Sequence, residues 1–394
     1  MRSNHTVRRW RTGLKKALND LLLASLPISD APNVTFHKDQ ILRTILECVA
    51  HGEYPSSYTD TARSRGRHLP DGDTIGYRLK DLTLPDVVRA AQQAIANLRQ
   101  AALDAGLLTG PQIIALDTSS EPVYTKKDPS ARGSAKFPGT KVAHEFLLGQ
   151  TVKKDRTTGH LLPLGVRPWT PMERCPALAR EILTEILAAL PIALLLADRG
   201  FYAVDYFRLF LDLGIPFVVP LPENARNKRE IDEARRKSRH VEGRTETVFI
   251  DPAFVLEKGD GRESVTITVV YVFRPDEARK RPGKSDRPEH FVYATSGLPA
   301  EGREREALAR MDAYDHRWGI EVGLREQDAV EGKTRSERPA VQWLFHLLSV
   351  VLHGIWVLGR SLWVPRRTLV RWELTMGWFR SLLKTCTRWD GLGS

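Results

Sequence analysis

The chain has 394 residues, 42% apolar and 27% charged, enough for two or three globular domains and far from the biased make-up of a disordered or fibrous chain. Lys and Arg total 59 against 48 Asp and Glu, and the net charge of +11 points to a polyanionic partner, most simply nucleic acid. Three widely spaced cysteines, Cys48, Cys175 and Cys386, form no CxxC pair; this supports neither a zinc knuckle nor a disulfide framework and fits a reducing, cytoplasmic setting.

Residues 1–110 read as a helical module. "HTVRRWRTGLKKALNDLLLASL" is amphipathic and basic at its start, and "FHKDQILRTILECVAHG" is a second helix with Gly52 as its stop. "YPSSYTDTARSRGRHLPDGDT" is polar, basic and loop-rich, and "LTLPDVVRAAQQAIANLRQAALDAG" is a third helix ending at Gly106. Short helices with basic connectors suit a DNA-binding module, and a plain helical scaffold nearly as well. The basic N-terminus lacks an apolar core followed by a small-residue cleavage site, so no export signal is expected.

From residue 111 the period changes. "PQIIALDTS", ending the strand at Asp117, "KVAHEFLLGQTV" and "HLLPLGVRP" are predicted strands; "PMERCPALAREILTEILAAL" is a helix. "PIALLLAD" has almost no polar alternation, as in a sheet covered on both faces; helix "AVDYFRLFLDLG" and strand "IPFVVPLP" follow. Three hairpin-linked strands and then alternating helices and strands predict a mixed α/β sheet spanning 111–221. Residues 222–301 form a β-rich insertion with basic loops, and helices resume near 302. "VQWLFHLLSVVLHGIWVL", residues 341–358, is long enough to span a membrane, but Gln342, His346, Ser349 and His353 favour a buried core helix, with both histidines in core or interface roles. No membrane contact is expected. Residues 361–394 form a basic tail carrying Trp363, Trp372, Trp378 and Trp389.

Two acids stand out. Asp117 closes the first strand of the α/β region and Asp198, in "LLLADRGFY", closes the fourth. An Asp after a strand is often only a helix cap. If the two strands are neighbours, however, both acids point into one cleft at the strand ends. Close carboxylates repel unless a cation neutralises them. Mg²⁺ suits such a site, and two such ions can activate a nucleophile and stabilise the leaving oxygen of a phosphodiester. "YDHRWGIEVGLRE" offers a third acid, Glu321, on a helical face shared with Tyr314 and Arg317 and continued by Arg325; the alternative is an exposed Arg–Glu surface pair.

With these residues in place, the chain resembles the DDE transposases of the insertion-sequence type, in the branch with a Tyr-x2-Arg-x3-Glu-x6-Lys signature and a β insertion before the glutamate. "ALDTS", "ADRGFY" and "YDHRWGIE" carry the likeness, which covers about residues 111–360. It implies a ribonuclease-H-like catalytic domain, in two parts at 111–221 and 302–360, behind an N-terminal helical DNA-binding domain. It implies Asp117, Asp198 and Glu321 as catalytic metal ligands for two Mg²⁺ or Mn²⁺ ions. The partners it implies are double-stranded DNA of transposon ends and target, bound by a homodimer at the nucleoid. Tyr314 and Arg317 would grip the end phosphates, and Arg199 is placed to contact phosphate, while Phe201 and Tyr202 pack the following helix.

The sequence departs from the signature at one point: where Lys is expected, seven residues after Glu321, stands Asp328. Arg325, one turn beyond Glu321, is the expected replacement, with Lys333 as second candidate. The loop after Asp117, with Lys126, Lys127, Arg132, Lys136 and Lys141, is expected to face DNA. Two other classes compete. A catalytically inactive, transposase-derived DNA-binding protein has no reason to keep all three acids. A phosphatase-like enzyme using Asp117 as nucleophile leaves the basic insertion and the "YDHRWGIE" helix unexplained.

Overall fold

The computed structural model describes residues 4–26, 28, 30, 34–124, 128–134, 136–152, 161–222, 225–259, 261–275, 289–363 and 374–388. Helix boundaries in the first 110 residues follow local chemistry. Helix α1 (Asn4–Ala17) continues through a π turn and a 3-10 turn to Ser25. Helix α2 (Lys38–His51) stops at Gly52, whose φ of 70° a side chain would resist. The polar stretch 54–74, expected as loop, holds two short helices, α3 (Pro55–Ser64) and α4 (Gly72–Arg78). Pro55 occupies the first turn, where its missing N–H costs nothing, and the Asp71 carboxylate accepts from the Thr74 amide at 2.7 Å. Helix α5 (Leu84–Asp104) opens with a reciprocal Thr83–Asp86 cap.

One mixed sheet of ten strands follows among the described residues. Strands β1 (Gln112–Pro122), β3 (Val142–Thr151) and β4 (Pro163–Trp169) form an antiparallel meander, with the short β2 (Arg132–Gly133) on the outer edge of β3. After helix α6 (Cys175–Leu187), β5 (Ile192–Ala197) returns parallel to β1; after helix α7 (Val204–Asp212), β6 (Phe217–Pro220) lies parallel to β5. The β-rich stretch does not form a sheet of its own. Helix α8 (Ala225–Lys237) takes up much of the charged run at its start. Strands β8 (Thr247–Glu257), β9 (Ser264–Phe273) and β10 (His290–Thr295), with the short β7 (Arg239–His240), then extend the same sheet, β10 pairing antiparallel with β6.

Alternation along β3 assigns the two faces of the sheet. Gly149 looks onto α6, whereas His144, Phe146 and Gln150 look the other way, towards three further elements: α9 (Glu304–Tyr314), α10 (Trp318–Asp328) and α11 (Pro339–Leu362) lie in that half of the chain, and α10 and α11 supply the contacts. Helix α11 is the apolar segment 341–358; it is long and apolar enough to cross a membrane, but 94% of its apolar window is buried inside the protein. Each Leu, Ile or Val it buries contributes about 1.5–3 kcal/mol, so α11 acts as the pillar of the helical layer. The last helix, α12 (Met376–Cys386), packs on α1 and α2. The Trp10 indole donates to the Trp363 carbonyl at 3.2 Å, and the Trp363 ring fills the space where Gly13 would carry a Cβ. The chain's two ends are thus one helical body. Trp372 and Trp389 lie outside the described residues. All three cysteines are buried and free.

Gly149 and Gly165 face each other across β3 and β4, and the Ile182 Cγ2 of α6 fills the space above both: a Cβ would meet it at 3.0 Å and 2.9 Å. Gly165→Val should therefore lower unfolding stability by about 1–3 kcal/mol. Denaturant titration should find part of that loss recovered when Ile182→Ala is added, since the smaller side chain vacates the same volume.

Candidate active site

Strands β1 and β5 are parallel neighbours, and their pairing ends at Leu116–Ala197. Asp117 and Asp198 are the next residue on each strand. Asp117 is not the end of its strand, as the apolar run alone predicts: β1 continues to Pro122 because β3 still pairs with it, Asp117 opposite Leu148. Beyond Leu116 the other edge of β1 has no β5 partner, and that opening admits side chains from α10.

Asp198 occupies a sharp turn. It caps the 3-10 turn Arg199–Phe201, its carboxylate accepting from the Gly200 amide. A Cβ at position 200 would meet Asp198 Oδ1 at 2.9 Å, which accounts for the glycine in "ADRGFY". Phe201 and Tyr202 pack on α7 through Tyr206 and Phe207, and Arg199 is exposed.

The third acid comes from a broken helix. Helix α9 ends at Tyr314, residues Asp315–Arg317 make a 3-10 turn, and α10 begins at Trp318. The backbone stays right-handed throughout, so the expected face survives. Arg317 donates from Nη2 to Glu321 Oε1 at 2.7 Å and from Nη1 to Asp117 Oδ2 at 3.1 Å. Its guanidinium lies 5.6 Å from the Tyr314 ring centre, and its Nε is buried without a hydrogen-bond partner. Arg317 thus ties the glutamate helix to the aspartate strand across 200 residues.

Charge in this cluster is unusual. Asp117 is pushed up to about 6, first by burial, while the Thr118 amide at 2.8 Å and Arg317 pull it down and the neighbouring Asp198 and Glu321 push it up. Burial works against the Arg317 charge, yet Tyr314 and the three carboxylates hold its pKa above the ordinary value. Burial pushes Tyr314 up to about 12. Carboxylate oxygens are the right kind of ligand for Mg²⁺ or Mn²⁺. As the side chains stand, with Arg317 between two of them, no group of three among the described residues converges closely enough to hold an ion.

The other predicted residues scatter. Arg325 is exposed on α10. Lys333 lines a cavity of about 480 Å³ whose walls include Glu121, Glu331 and His346 but none of Asp117, Asp198 or Glu321. Arg132 is engaged locally: it lies 4.0 Å over the Trp169 ring, 3.7 Å from Glu145, and donates to the Thr170 carbonyl at 3.1 Å. Lys136 donates to Ser120 Oγ at 3.0 Å, and Lys141 is exposed. Lys126 and Lys127 lie outside the described residues.

The Lys333 cavity holds a carboxyl pair that sequence reading missed. Glu121, on the same face of β1 as Asp117, meets Glu331 just beyond α10, and His346 Nδ1 lies 3.2 Å from Glu121 Oε1. Burial pushes both glutamates up to about 7, Glu331 also through Glu121, and burial holds His346 down near 4. The available signal was the spacing of Asp117 and Glu121, four apart on one strand face.

Residues 175–345 match the Transposase DDE domain family, a span that includes Asp198 and Glu321 and begins after Asp117. A solved structure, the piggyBac transposase synaptic complex with hairpin DNA, is similar at a TM-score of 0.56 and 11% identity, over 95% of this chain and 80% of that one. At that identity the likeness is one of fold. No curated protein matches the chain. Together the family match and the fold support a DDE-type transposase.

The carboxyl pair sets a pH dependence. Both folded-state pKa values lie above the ordinary 4.5, so the pair's contribution to stability is fully present below about pH 4.5 and is lost as pH rises through about 7. Glu331→Gln, which mimics the protonated form, should raise stability at pH 8 by on the order of 1–3 kcal/mol and leave it unchanged at pH 4. Thermal melts at the two pH values measure the difference.

Proposed function

We propose that the chain is a DNA transposase that binds transposon ends and cuts and joins them with Asp117, Asp198 and Glu321 as the metal ligands of a DDE site. The observation that carries this reading is the placement of Asp117 and Asp198 one residue past the last pair of adjacent parallel strands, with Glu321 joined to Asp117 through Arg317. The meander β4-β3-β1 followed by parallel β5 and β6 supports a ribonuclease-H-like catalytic domain. The neighbour's title names a synaptic complex with hairpin DNA, and this supports DNA as the partner; in our reading the DNA is double-stranded and a homodimer brings two ends together. Two Mg²⁺ or Mn²⁺ ions, when bound, would supply a nucleophile at neutral pH and stabilise the leaving oxygen.

The protein's own residues do the rest. The rigid, buried β1–β5 ladder fixes the two aspartates, and the Gly200 amide orients the Asp198 carboxylate. Arg317 neutralises the acids before DNA arrives. Its fork of donors matches a phosphate as well as a carboxylate, so an incoming end phosphate competes for it and frees both acids. Tyr314 lies against the same guanidinium and limits where it can swing.

Asp117→Ala should lower cleavage of end DNA by about 10³-fold or more while end binding persists; mapped cuts on end-containing duplex with Mg²⁺ decide it, and full activity in that variant removes Asp117 from the mechanism. The position of the absent signature lysine is read the same way. Arg325 is exposed on the helix that carries Glu321, free to reach a phosphate, so Arg325→Ala should cut cleavage by about 10–100-fold, the weight of one charge-assisted hydrogen bond. Wild-type cleavage by Arg325→Ala together with a dead Lys333→Ala moves the role to Lys333.

A further inference from the structure

A second basic site lies in the helical body. The C-terminal end of α2, helix α3 and helix α12 enclose a cleft of about 460 Å³, whose charged wall consists of His51, Arg65, Arg67, Lys384 and Arg388 against Glu53. These residues come from opposite ends of the chain. The cleft exists because α12 folds back onto α1 and α2.

The cations divide by what already holds them. Arg67 is structural: its guanidinium donates to both oxygens of the buried Glu47 at 2.8 and 3.1 Å and to the Tyr58 hydroxyl at 2.7 Å, and Tyr58 donates to the same carboxylate. This network forms the floor. The carbonyls at the end of α2 are satisfied as well. Cys48 and Val49 accept from the Glu53 and Gly52 amides at 3.1 and 3.0 Å, and Ala50 accepts from Arg380 at 3.3 Å. Capping α2 therefore leaves no task for the rim. Arg65 and Lys384 have no carboxylate within ion-pair distance among the described residues, although both stand over a wall already rich in positive charge. The crowding is felt by His51, which is held below its ordinary pKa by burial and then by Lys384. Along α12, Arg380 and Lys384 fall four residues apart, one helical step of about 6 Å, and Arg388 follows just past the end of the helix at Cys386.

Arg65 and Lys384, two cations without a carboxylate partner among the described residues, line one cleft over a floor pinned by hydrogen bonds and form a site for an anion with several charges in a row. We propose that this cleft seats the phosphate backbone of duplex DNA through Arg65 and Lys384, at a contact separate from the acidic site. This rests on the reading of the chain as a DNA-acting protein and names a surface which that reading leaves open. The contact carries no base information; it positions the duplex.

The test is binding of a duplex of about 30 base pairs, without divalent metal, from about 50 to 200 mM KCl. Three full-length proteins are compared: the unaltered chain, Arg65→Ala with Lys384→Ala, and a control that removes the same charge elsewhere, Arg89→Ala with Lys237→Ala. The cleft variant should bind about tenfold more weakly, and the slope of log affinity against log salt should fall by about 2, the loss of two phosphate contacts. The control should match the unaltered chain. Arg65 is exposed and Lys384 half-buried at the rim, and an unchanged melting temperature in the variant excludes misfolding as the cause. Equal affinity and slope in the variant and the unaltered chain overturn the cleft while leaving the DNA reading intact, and so does an equal loss in the control. Absence of salt-dependent binding by the unaltered chain overturns both.

Discussion

Parallel pairing of β1 with β5 decides where the chemistry sits. The ladder is buried on both sides and runs from Gln112–Ile192 to Leu116–Ala197, after which β5 turns away while β1 continues against β3. One strand therefore keeps a partner where its neighbour has none, and a cleft opens at that step. Asp117 and Asp198 stand on its two lips. The parallel pairing holds them in register. The sheet provides a fixed separation, and the Gly200 turn removes the side chain that would obstruct Asp198. A rigid frame of this kind is what precise placement of charged groups requires.

The frame brings an electrostatic cost. Asp117 loses most of its hydration beside two further acids, and its raised pKa records that penalty. Arg317 offsets it from the helical side with hydrogen bonds to Asp117 and Glu321. The same bonds position α10 over the strand ends, so the compensating charge also serves as a tether. Burial of an arginine is tolerable only with such partners, because its own desolvation is costly. Four residues further along β1, Glu121 faces Glu331 with no guanidinium between them, and both carboxyls are pushed up to about 7. Arg317 thus joins β1 to the segment that carries Glu321.

Helix α11 binds the halves together. Its buried face packs on α5 and on the sheet, and Trp343 and His346 surround Phe146 of β3. Residues beyond it then reach back: Trp363 closes over Gly13, the Trp356 indole donates to the Leu374 carbonyl at 2.7 Å, and α12 lies on α2. The helical body is consequently built from both termini, and a basic surface upon it joins Arg65 with Lys384. Apolar burial, rather than any ionic contact, brings these cations together.

Local order was legible in the chain itself. Alternation and apolar runs mark β1, β3, β4, β5 and β6. Gly52 and Gly106 mark helix stops, and "ADRGFY" and "YDHRWGIE" mark the acids, because propensity, capping and periodicity act over a few residues. Even there, Pro55 and Asp71 were hidden as helix starters within a polar stretch, and the turn at Asp315–Arg317 interrupted an expected continuous helix. What the tertiary structure decided is everything that depends on partners distant in sequence. Whether Asp117 ends its strand depends on β3 and β5 separately. Whether the residues after 222 form a sheet of their own or extend the existing one depends on the free edge of β6. Arg317 could as well have been a surface residue by its spacing. Burial beside Asp117, fixed by packing of α10 on β1, gives it a charge to balance, and no local pattern encodes the dielectric in which that charge must sit.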